Sequence, residues 1–195
     1  AAELKADFEW AKSIAVGPGL SMNVAAAEIT RCVLERDDKV RILDADALNI
    51  IAGEHIDYKG SREGQIIITP HIMEMSRLTG KTVADIKEHM IESAKEYAIQ
   101  HSCICILKDA RTVVTDGQKV YINCTGNDGM STGGCGDVLT GLIAGMTAMG
   151  LDAFEAACLS VYVHGKAGDY AASGKGRAGM TAADVSEAIA YVLKR

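Results

Sequence analysis

The sequence predicts an α/β fold with a mostly parallel central sheet, helices on both faces and a hairpin at one edge. Short apolar runs alternate with longer segments of helical apolar spacing along most of the 195 residues, which is the pattern of successive β-α-β units. Two alternating runs flank Asp116-Gly117, a combination typical of a β-hairpin. The chain contains no internal repeat, low-complexity tract or linker, so we expect one domain over residues 1–195.

The first half of the chain supplies three predicted strands and two predicted helices. The strands are predicted over residues 13–19, 40–49 and 65–71, and the helices over 21–36 and 82–100. A Gly-Pro-Gly turn at 17–19 ends the first strand, and Pro70 ends the third. Thr82 and Asp85 form a variant of the capping box, which places the start of the second helix.

The second half supplies a strand, the hairpin and three helices. The strand is predicted over 102–109, the hairpin over 112–123, and the helices over 137–149, 152–172 and 181–194. Cys103 and Cys105 alternate with isoleucines, as strand residues do. This order predicts three layers, with the hairpin outside the parallel strands.

Composition excludes several classes of function. The chain has 20 basic and 26 acidic residues and a net charge of −6, so we expect neither a nucleic-acid nor a membrane partner. None of the six cysteines forms a CxxC pair, and their scatter indicates reduced, mostly buried thiols rather than disulfides or a zinc site. No apolar run approaches the roughly 18 residues of a membrane span, and the first ten residues lack a signal-peptide core. A cytoplasmic location is expected.

A glycine cluster precedes one acidic residue. Five glycines lie within residues 126–136, and Asp137 follows where a helix is predicted to begin. Glycines let a ligand approach the backbone, and a helix N-terminus offers free N–H groups, so the segment predicts a phosphate site. It has neither the Walker A nor the Rossmann spacing. Asp137 would take a proton from an attacking hydroxyl; the alternatives are an ordinary flexible loop and a helix-capping acid.

Further candidates follow the predicted strands. Asp44 and Asp46 lie two positions apart, so they would share one face of the strand 40–49. Either residue would hold Mg²⁺ through water, cap a helix or form a turn, and the sequence leaves these alternatives open. Lys108 would meet a phosphate as a point charge or lie solvated at the surface, and Thr112 would donate a hydrogen bond nearby.

Three more candidates are harder to assign from spacing. His71 either contacts a substrate or is an ordinary turn histidine. Glu74 is placed to reach a hydrated Mg²⁺. His164 lies inside the helix 152–172, where packing or a structural hydrogen bond is the favoured interpretation.

Six motifs together resemble one family. They are VGPGL (16–20), ILDADALN (42–49), ITPHIMEMSRLTG (68–80), LKDARTVV (107–114), GNDGMSTGGCGDVLTGLIAG (126–145) and HGKAGD (164–169). In this order they resemble the ribokinase-like, ADP- or ATP-dependent NAD(P)HX dehydratases, and residues 126–145 are the most specific part. The resemblance implies a ribokinase-like α/β/α fold. It also implies dehydration of the S epimer of hydrated NAD(P)H through phosphorylation at C6 and elimination of phosphate.

The resemblance also implies roles for residues. Asp137 would be the catalytic base and would bind the hydrated nicotinamide together with Gly19 and His71. Mg²⁺ would accompany the phosphates, with Glu74 acting on it through water, and a homotetramer is expected. The ADP- or ATP-binding residues would be Lys108, Asp109, Ala110, Arg111, Thr112, Asn127, Gly129, Met130, Ser131, Thr132, Gly133, Gly134 and Gly136.

The chain departs from the family pattern at several positions. Met73 and Asp109 stand where the family usually has glycine, and Cys135 replaces a small hydroxyl residue. Extra bulk near His71 and extra negative charge near phosphate are expected to weaken binding. The family's domain normally begins upstream of residues 16–20, so we expect the chain to lack an N-terminal portion.

Two other functions remain open on sequence grounds. A small-alcohol kinase of the same fold, such as a hydroxyethylthiazole kinase, would have a similar phosphate site and would release a stable phosphorylated product. A non-catalytic nucleotide-binding fragment would bind ADP or ATP without turnover. The sequence does not decide between ADP and ATP.

Overall fold

A computed structural model describes residues 4–60 and 65–194 of the chain. Its sheet contains six strands in the order β1-β2-β3-β4-β5-β6. The strands are β1 Ser13–Val16, β2 Val40–Leu43, β3 Ile66–Ile68, β4 Ile104–Leu107, β5 Val113–Thr115 and β6 Val120–Ile122. The first four are parallel, whereas β5 and β6 are antiparallel to their neighbours. The predicted fold class and edge hairpin are therefore confirmed; residues 1–3, 61–64 and 195 of the predicted domain lie outside the described residues.

Helices cover both faces of this sheet. They are α1 Lys5–Trp10, α2 Val24–Leu34, α3 Ala45–Gly53, α4 Ile72–Thr79, α5 Val83–Glu88, α6 Met90–His101, α7 Cys135–Ala148, α8 Ala153–Lys175 and α9 Ala182–Val192, with a 3₁₀ turn at Asp128–Met130. Strand residues alternate between two cores because successive side chains point to opposite faces. Cys105 and Leu107 pack with α2 to α6, whereas Ile104 and Ile106 pack with α7 and α8. The molecule thus has the expected three layers.

Several predicted boundaries are wrong. The strand predicted over 40–49 ends at Leu43, and α3 begins at Ala45. The helix predicted over 82–100 is two helices, because the backbone of His89 (φ −127°, ψ 50°) leaves the helical region between them. Helices α1 and α4 were not predicted. The start of α4 is marked by His71, which is not a usual capping residue.

Two further expectations concern reduced, mostly buried cysteines and the absence of a membrane-spanning segment. All six cysteines are free: Cys103, Cys105 and Cys135 are buried, Cys32 and Cys158 are half-buried, and Cys124 is exposed. Burial raises the pKa of the Cys103 thiol to about 12, which makes it an inert core residue. Among the helices of residues 4–60 and 65–194, none is both long and apolar enough to cross a membrane.

Candidate active site

The carboxyl ends of the four parallel strands meet at one edge of the sheet, where ligands bind in folds of this type. The backbone brings their following segments together. His71 and Lys108 form an isolated parallel bridge, and Lys108 N donates to Pro70 O at 2.8 Å. A Cβ on Gly17 (φ +126°) would lie 1.8 Å from Asp44 O, so only glycine allows this approach of the first loop to the second.

Asp44 and Lys108 form an ion pair at this edge. Lys108 Nζ lies 2.8 Å from Asp44 Oδ1, and Thr140 Oγ1 donates to Asp44 Oδ2 at 2.7 Å. The Asp44 side chain is 2% exposed. Its burial acts to raise its pKa, but the Lys108 charge and the hydrogen bonds it accepts outweigh burial, so the pKa is lowered. Asp44 is therefore ionised at neutral pH and holds the Lys108 ammonium in place.

The placement of Asp44 and Asp46 corrects the sequence-based interpretation. They do not share a strand face, because Asp44 occupies the N-cap position of α3 and Asp46 lies in its first turn. The Asp44 side chain makes no capping hydrogen bond, since Lys108 and Thr140 occupy its oxygens. Asp46 Oδ2 accepts a hydrogen bond from Ser21 N at 2.8 Å.

The N-terminus of α7 faces Lys108. Gly134 precedes the helix with φ +90°, and Val138 N makes the first intrahelical bond, to Gly134 O at 3.0 Å. Helix geometry therefore leaves the N–H groups of Gly136 and Asp137 without intrahelical acceptors. A Cβ on Gly136 would lie 3.5 Å from Lys108 Nζ. A lysine ammonium, free N–H groups and the positive end of a helix dipole thus converge on one small volume.

Asp137 is exposed in the first turn of α7. The helix has no side-chain capping bond at this end, so the alternative in which Asp137 merely caps it finds no support. Within the described part of the chain, no ion pair or side-chain hydrogen bond engages its carboxylate. The carboxylate is therefore open to a ligand. Its role as a base stays a prediction.

His71 and Glu74 form a capping box at the start of α4. His71 Nδ1 accepts from Met73 N and Glu74 N, both at 3.1 Å, and His71 N donates to Glu74 Oε2 at 2.8 Å. Burial raises the pKa of Glu74. The His71 side chain is still 49% exposed, so it is a capping residue that also presents one ring edge to the site.

A cleft of about 730 Å³ opens at this edge of the sheet. Eleven of the predicted site residues line it: His71, Lys108, Asp109, Ala110, Arg111, Thr112, Asn127, Met130, Ser131, Thr132 and Gly136. Six others lie outside its lining: Gly19, Glu74, Gly129, Gly133, Gly134 and Asp137. Gly129 instead supports the cleft wall from behind, where a Cβ would lie 2.4 Å from Arg177 O.

Sequence reasoning missed part of the wall. Additional lining residues are Asn123, Thr125, Gly126, Asp128, Cys135, Leu139, Val161, His164 and Gly165. Residues 126, 128 and 135 fall inside the glycine cluster, so their place in the sequence could have identified them as site residues. Nothing in the sequence singles out Asn123 or Val161, because the predicted hairpin and helix that contain them show only ordinary apolar spacing.

His164 is buried against the cleft from α8. Burial lowers its pKa to about 4, and the positive charge of Lys108 acts in the same direction. Its Nε2 atom finds no hydrogen-bond partner among the described residues. His164 is therefore a neutral wall residue at pH 7; the expected packing role fits, whereas no structural hydrogen bond is seen at that nitrogen.

The chain is similar in sequence to NAD(P)H-hydrate dehydratases and to bifunctional NAD(P)H-hydrate repair enzymes. A family profile described as NAD(P)H-hydrate dehydratase matches residues 1–191. The bifunctional NAD(P)H-hydrate repair enzyme Nnr of Moorella thermoacetica is 45% identical over 183 residues, which are 93% of this chain and 34% of that protein. The ADP-dependent (S)-NAD(P)H-hydrate dehydratase of Neisseria meningitidis is 35% identical over 185 residues, or 92% of this chain and 62% of that one.

A solved structure shows the same likeness. The ADP/ATP-dependent NAD(P)H-hydrate dehydratase of Bacillus subtilis, co-crystallised with ATP and Mg²⁺, superposes with a TM-score of 0.83 at 33% identity. The match covers 93% of this chain and 63% of that one. The present chain thus spans about a third of the length of the bifunctional relative and less than two thirds of the single-function ones.

Proposed function

Because the chain belongs to the NAD(P)H-hydrate dehydratase family, we propose that it dehydrates the S epimer of hydrated NAD(P)H with ADP or ATP as phosphate donor. One observation carries the proposal. The Asp44–Lys108 pair lies against Gly136 at the N-terminus of α7. Lys108 and Gly136 line the cleft, and the exposed Asp137 is the next residue after Gly136. This is an anion site with a carboxylate at its rim.

The residues of the site would promote phosphoryl transfer mainly by positioning the phosphate and stabilising its negative charge. Lys108 and the N–H groups of Gly136 and Asp137 would stabilise the negative charge of the transferred phosphoryl group. Ser131 and Thr132, which are exposed in the cleft wall, would donate hydroxyl hydrogen bonds to its oxygens. Because Asp44 fixes Lys108 in advance, this positive charge is in place before the nucleotide binds.

Asp137 would act as the base. It takes the proton of the C6 hydroxyl while that oxygen attacks the terminal phosphorus of the nucleotide. The bond from phosphorus to the bridging oxygen breaks, leaving AMP from ADP or ADP from ATP. Loss of phosphate from C6 and of a proton from C5 then restores the ring double bond. Gly19 and His71, which lie on the loops after β1 and β3, would bind the nicotinamide portion.

Mg²⁺ is implied by the family. The described residues hold no cluster of three or more ligating side chains, and the carboxylates of Asp44 and Glu74 are engaged within the protein. With these carboxylates engaged, a Mg²⁺ held by the nucleotide phosphates would keep most of its water, and Glu74 would reach it only through water. When bound, the ion would neutralise phosphate charge.

The proposal extends to the setting of the enzyme. We propose a homo-oligomer in the cytoplasm whose partners are small molecules and include neither nucleic acid nor membrane. The net charge of −6 supports the part concerning nucleic acid and anionic lipid.

A product assay separates the proposal from its rivals. The protein is mixed with hydrated NADH, Mg²⁺ and either ADP or ATP, and both the reduced-nicotinamide absorbance and free phosphate are followed. The proposal predicts that absorbance returns in step with phosphate release. In a parallel mixture, a small alcohol such as hydroxyethylthiazole replaces hydrated NADH; a stable phosphorylated alcohol formed there without phosphate release would favour the kinase. Nucleotide binding without turnover in either mixture would favour a non-catalytic fragment.

A further inference from the structure

The HGKAGD motif (164–169) on α8 begins in the cleft wall, with His164 and Gly165, and ends behind it. The wall segment comprises residues 125–130, which we call the cradle segment. Thr125, Gly126, Asn127, Asp128 and Met130 of this segment line the cleft. Asp169, the last residue of the motif, does not line the cleft.

Asp169 receives two hydrogen bonds from the cradle segment. Its Oδ2 accepts from Gly126 N at 3.1 Å, and its Oδ1 accepts from Asn127 Nδ2 at 3.1 Å. Asn127 in turn fixes the next residues, because its Oδ1 accepts from Gly129 N at 3.1 Å and so caps the 3₁₀ turn. One carboxylate thus fixes the course of four consecutive residues.

The surface of α8 is shaped to receive the same segment. A Cβ on Gly165 would lie 2.2 Å from Thr125 Oγ1, and a Cβ on Gly168 would lie 2.2 Å from Met130 Sδ. A side chain at Gly165 would collide with the backbone of Thr125 and push the cradle segment off the helix, whereas one at Gly168 would displace the Met130 side chain. Thr125 Oγ1 also lies 3.0 Å from Tyr162 O, a hydrogen bond to the helix backbone.

We propose that Asp169 is a positioning residue for nucleotide binding: it holds the cradle segment in the conformation that forms the wall of the nucleotide site. The identity of the ligand rests on the proposed function, whereas the hydrogen bonds do not. Both bonds to Asp169 come from N–H donors, and an asparagine side chain offers only one acceptor oxygen. In Asp169→Asn, the new amide group would therefore face one of these donors and repel it.

The test joins a local measurement to a binding measurement. Amide hydrogen exchange at Gly126 is followed by NMR in the nucleotide-free protein, and affinity for ADP and for ATP is measured by calorimetry. In Asp169→Asn we expect exchange at Gly126 to be at least about tenfold faster and nucleotide dissociation constants to rise about tenfold. Turnover at saturating nucleotide should change by less than about threefold, since no group that meets the reacting atoms is removed.

Asp152 supplies the matched control. It lies on the same helix at the other end, and its Oδ1 also accepts two N–H donors, from Phe154 and Glu155. Asp152→Ala should lower the stability of α8 and leave both exchange at Gly126 and nucleotide affinity unchanged. An equal change in both variants would mean that Asp169 acts only through general stability, and would overturn the proposal.

Two further outcomes are decisive. Unchanged exchange at Gly126 in Asp169→Asn would overturn the proposal, as would faster exchange with unchanged nucleotide affinity. Failure of the wild-type protein to bind either ADP or ATP would overturn the proposed function and the nucleotide-binding role of Asp169 together. The exchange measurement needs no nucleotide, so it still decides whether Asp169 holds the segment.

Discussion

Two aspartates at helix starts show how the same residue type acquires different roles. Asp44 precedes α3 and Asp137 lies in the first turn of α7, and neither makes a capping bond. Asp44 is buried and paired with Lys108, whereas Asp137 is exposed. Sequence spacing left a capping role open for both, since aspartate is favoured at any helix start. The difference arises from Lys108 and Thr140, which lie 64 and 96 positions from Asp44 along the chain.

The buried His164 predicts a pH dependence of stability. Its folded-state pKa is about 4, against 6.5 for an unperturbed side chain. A depressed pKa means that the unfolded chain binds the proton first as pH falls. The contribution of neutral His164 to folding stability is therefore fully present above pH 6.5. As the pH falls towards 4, about 3 kcal/mol of the free energy of unfolding is lost.

Urea denaturation of wild type and His164→Gln, at several pH values from 7 to 4, measures this effect. The free energy of unfolding of wild type minus that of the variant should fall by about 3 kcal/mol between pH 7 and pH 4. Taking the difference removes the contributions of the other titrating groups. Parallel pH curves for the two proteins would show that His164 is not the titrating group.

Secondary structure was predictable where local signals were strong. The hairpin and the helices α7, α8 and α9 lie within three residues of the expected boundaries. The strand predicted over 40–49 begins at Val40 as expected, but its predicted end was wrong, because an apolar run alone does not separate a short buried strand from the helix that follows. Ala45 begins α3 with φ +46°, and Asp46 Oδ2 accepts from Ser21 N in the loop between β1 and α2. These are tertiary constraints that no local pattern contains.

The hairpin turn offers a test at the scale of an element. Gly117 has φ +93°, and a Cβ there would lie 2.5 Å from Ile99 Cγ1 on α6. Ile99 is β-branched and held in a helix, so its Cγ1 does not move away freely. Gly117→Ala should therefore cost about 2–4 kcal/mol of folding free energy, from backbone strain and overpacking together.

Gly150 is the control for the strain alone. Its φ of +96° is nearly the same, but no atom lies within 4 Å of the added Cβ. Gly150→Ala should cost about 1–2 kcal/mol, as measured by urea denaturation beside Gly117→Ala. If the two variants lost equal folding free energy, overpacking of the added methyl group against Ile99 would contribute nothing to the loss in Gly117→Ala.

The whole molecule joins segments that are distant in sequence. A parallel sheet predicts that residues after its strands meet at one edge, and the structure brings Asp44, His71 and Lys108 together there. The opposite wall includes the predicted residues Asn127 and Met130. Its shape was not predictable, because it depends on how α8 packs against residues 125–130. His164 and Asp169 belong to a motif noticed in the sequence, yet their burial and hydrogen bonds follow only from that packing.

In the proposed function, Asp137 takes the hydroxyl proton, and Lys108 with the N-terminus of α7 binds the phosphates. Asp137→Asn separates these two roles, because the side chain is exposed and makes no capping bond, so the fold should be unaffected. Repair of hydrated NADH and calorimetric binding of ADP and ATP are measured for wild type and variant. We expect at least about a hundredfold loss of turnover in Asp137→Asn, with nucleotide affinity retained. Turnover that survives the substitution would contradict the proposed role of Asp137.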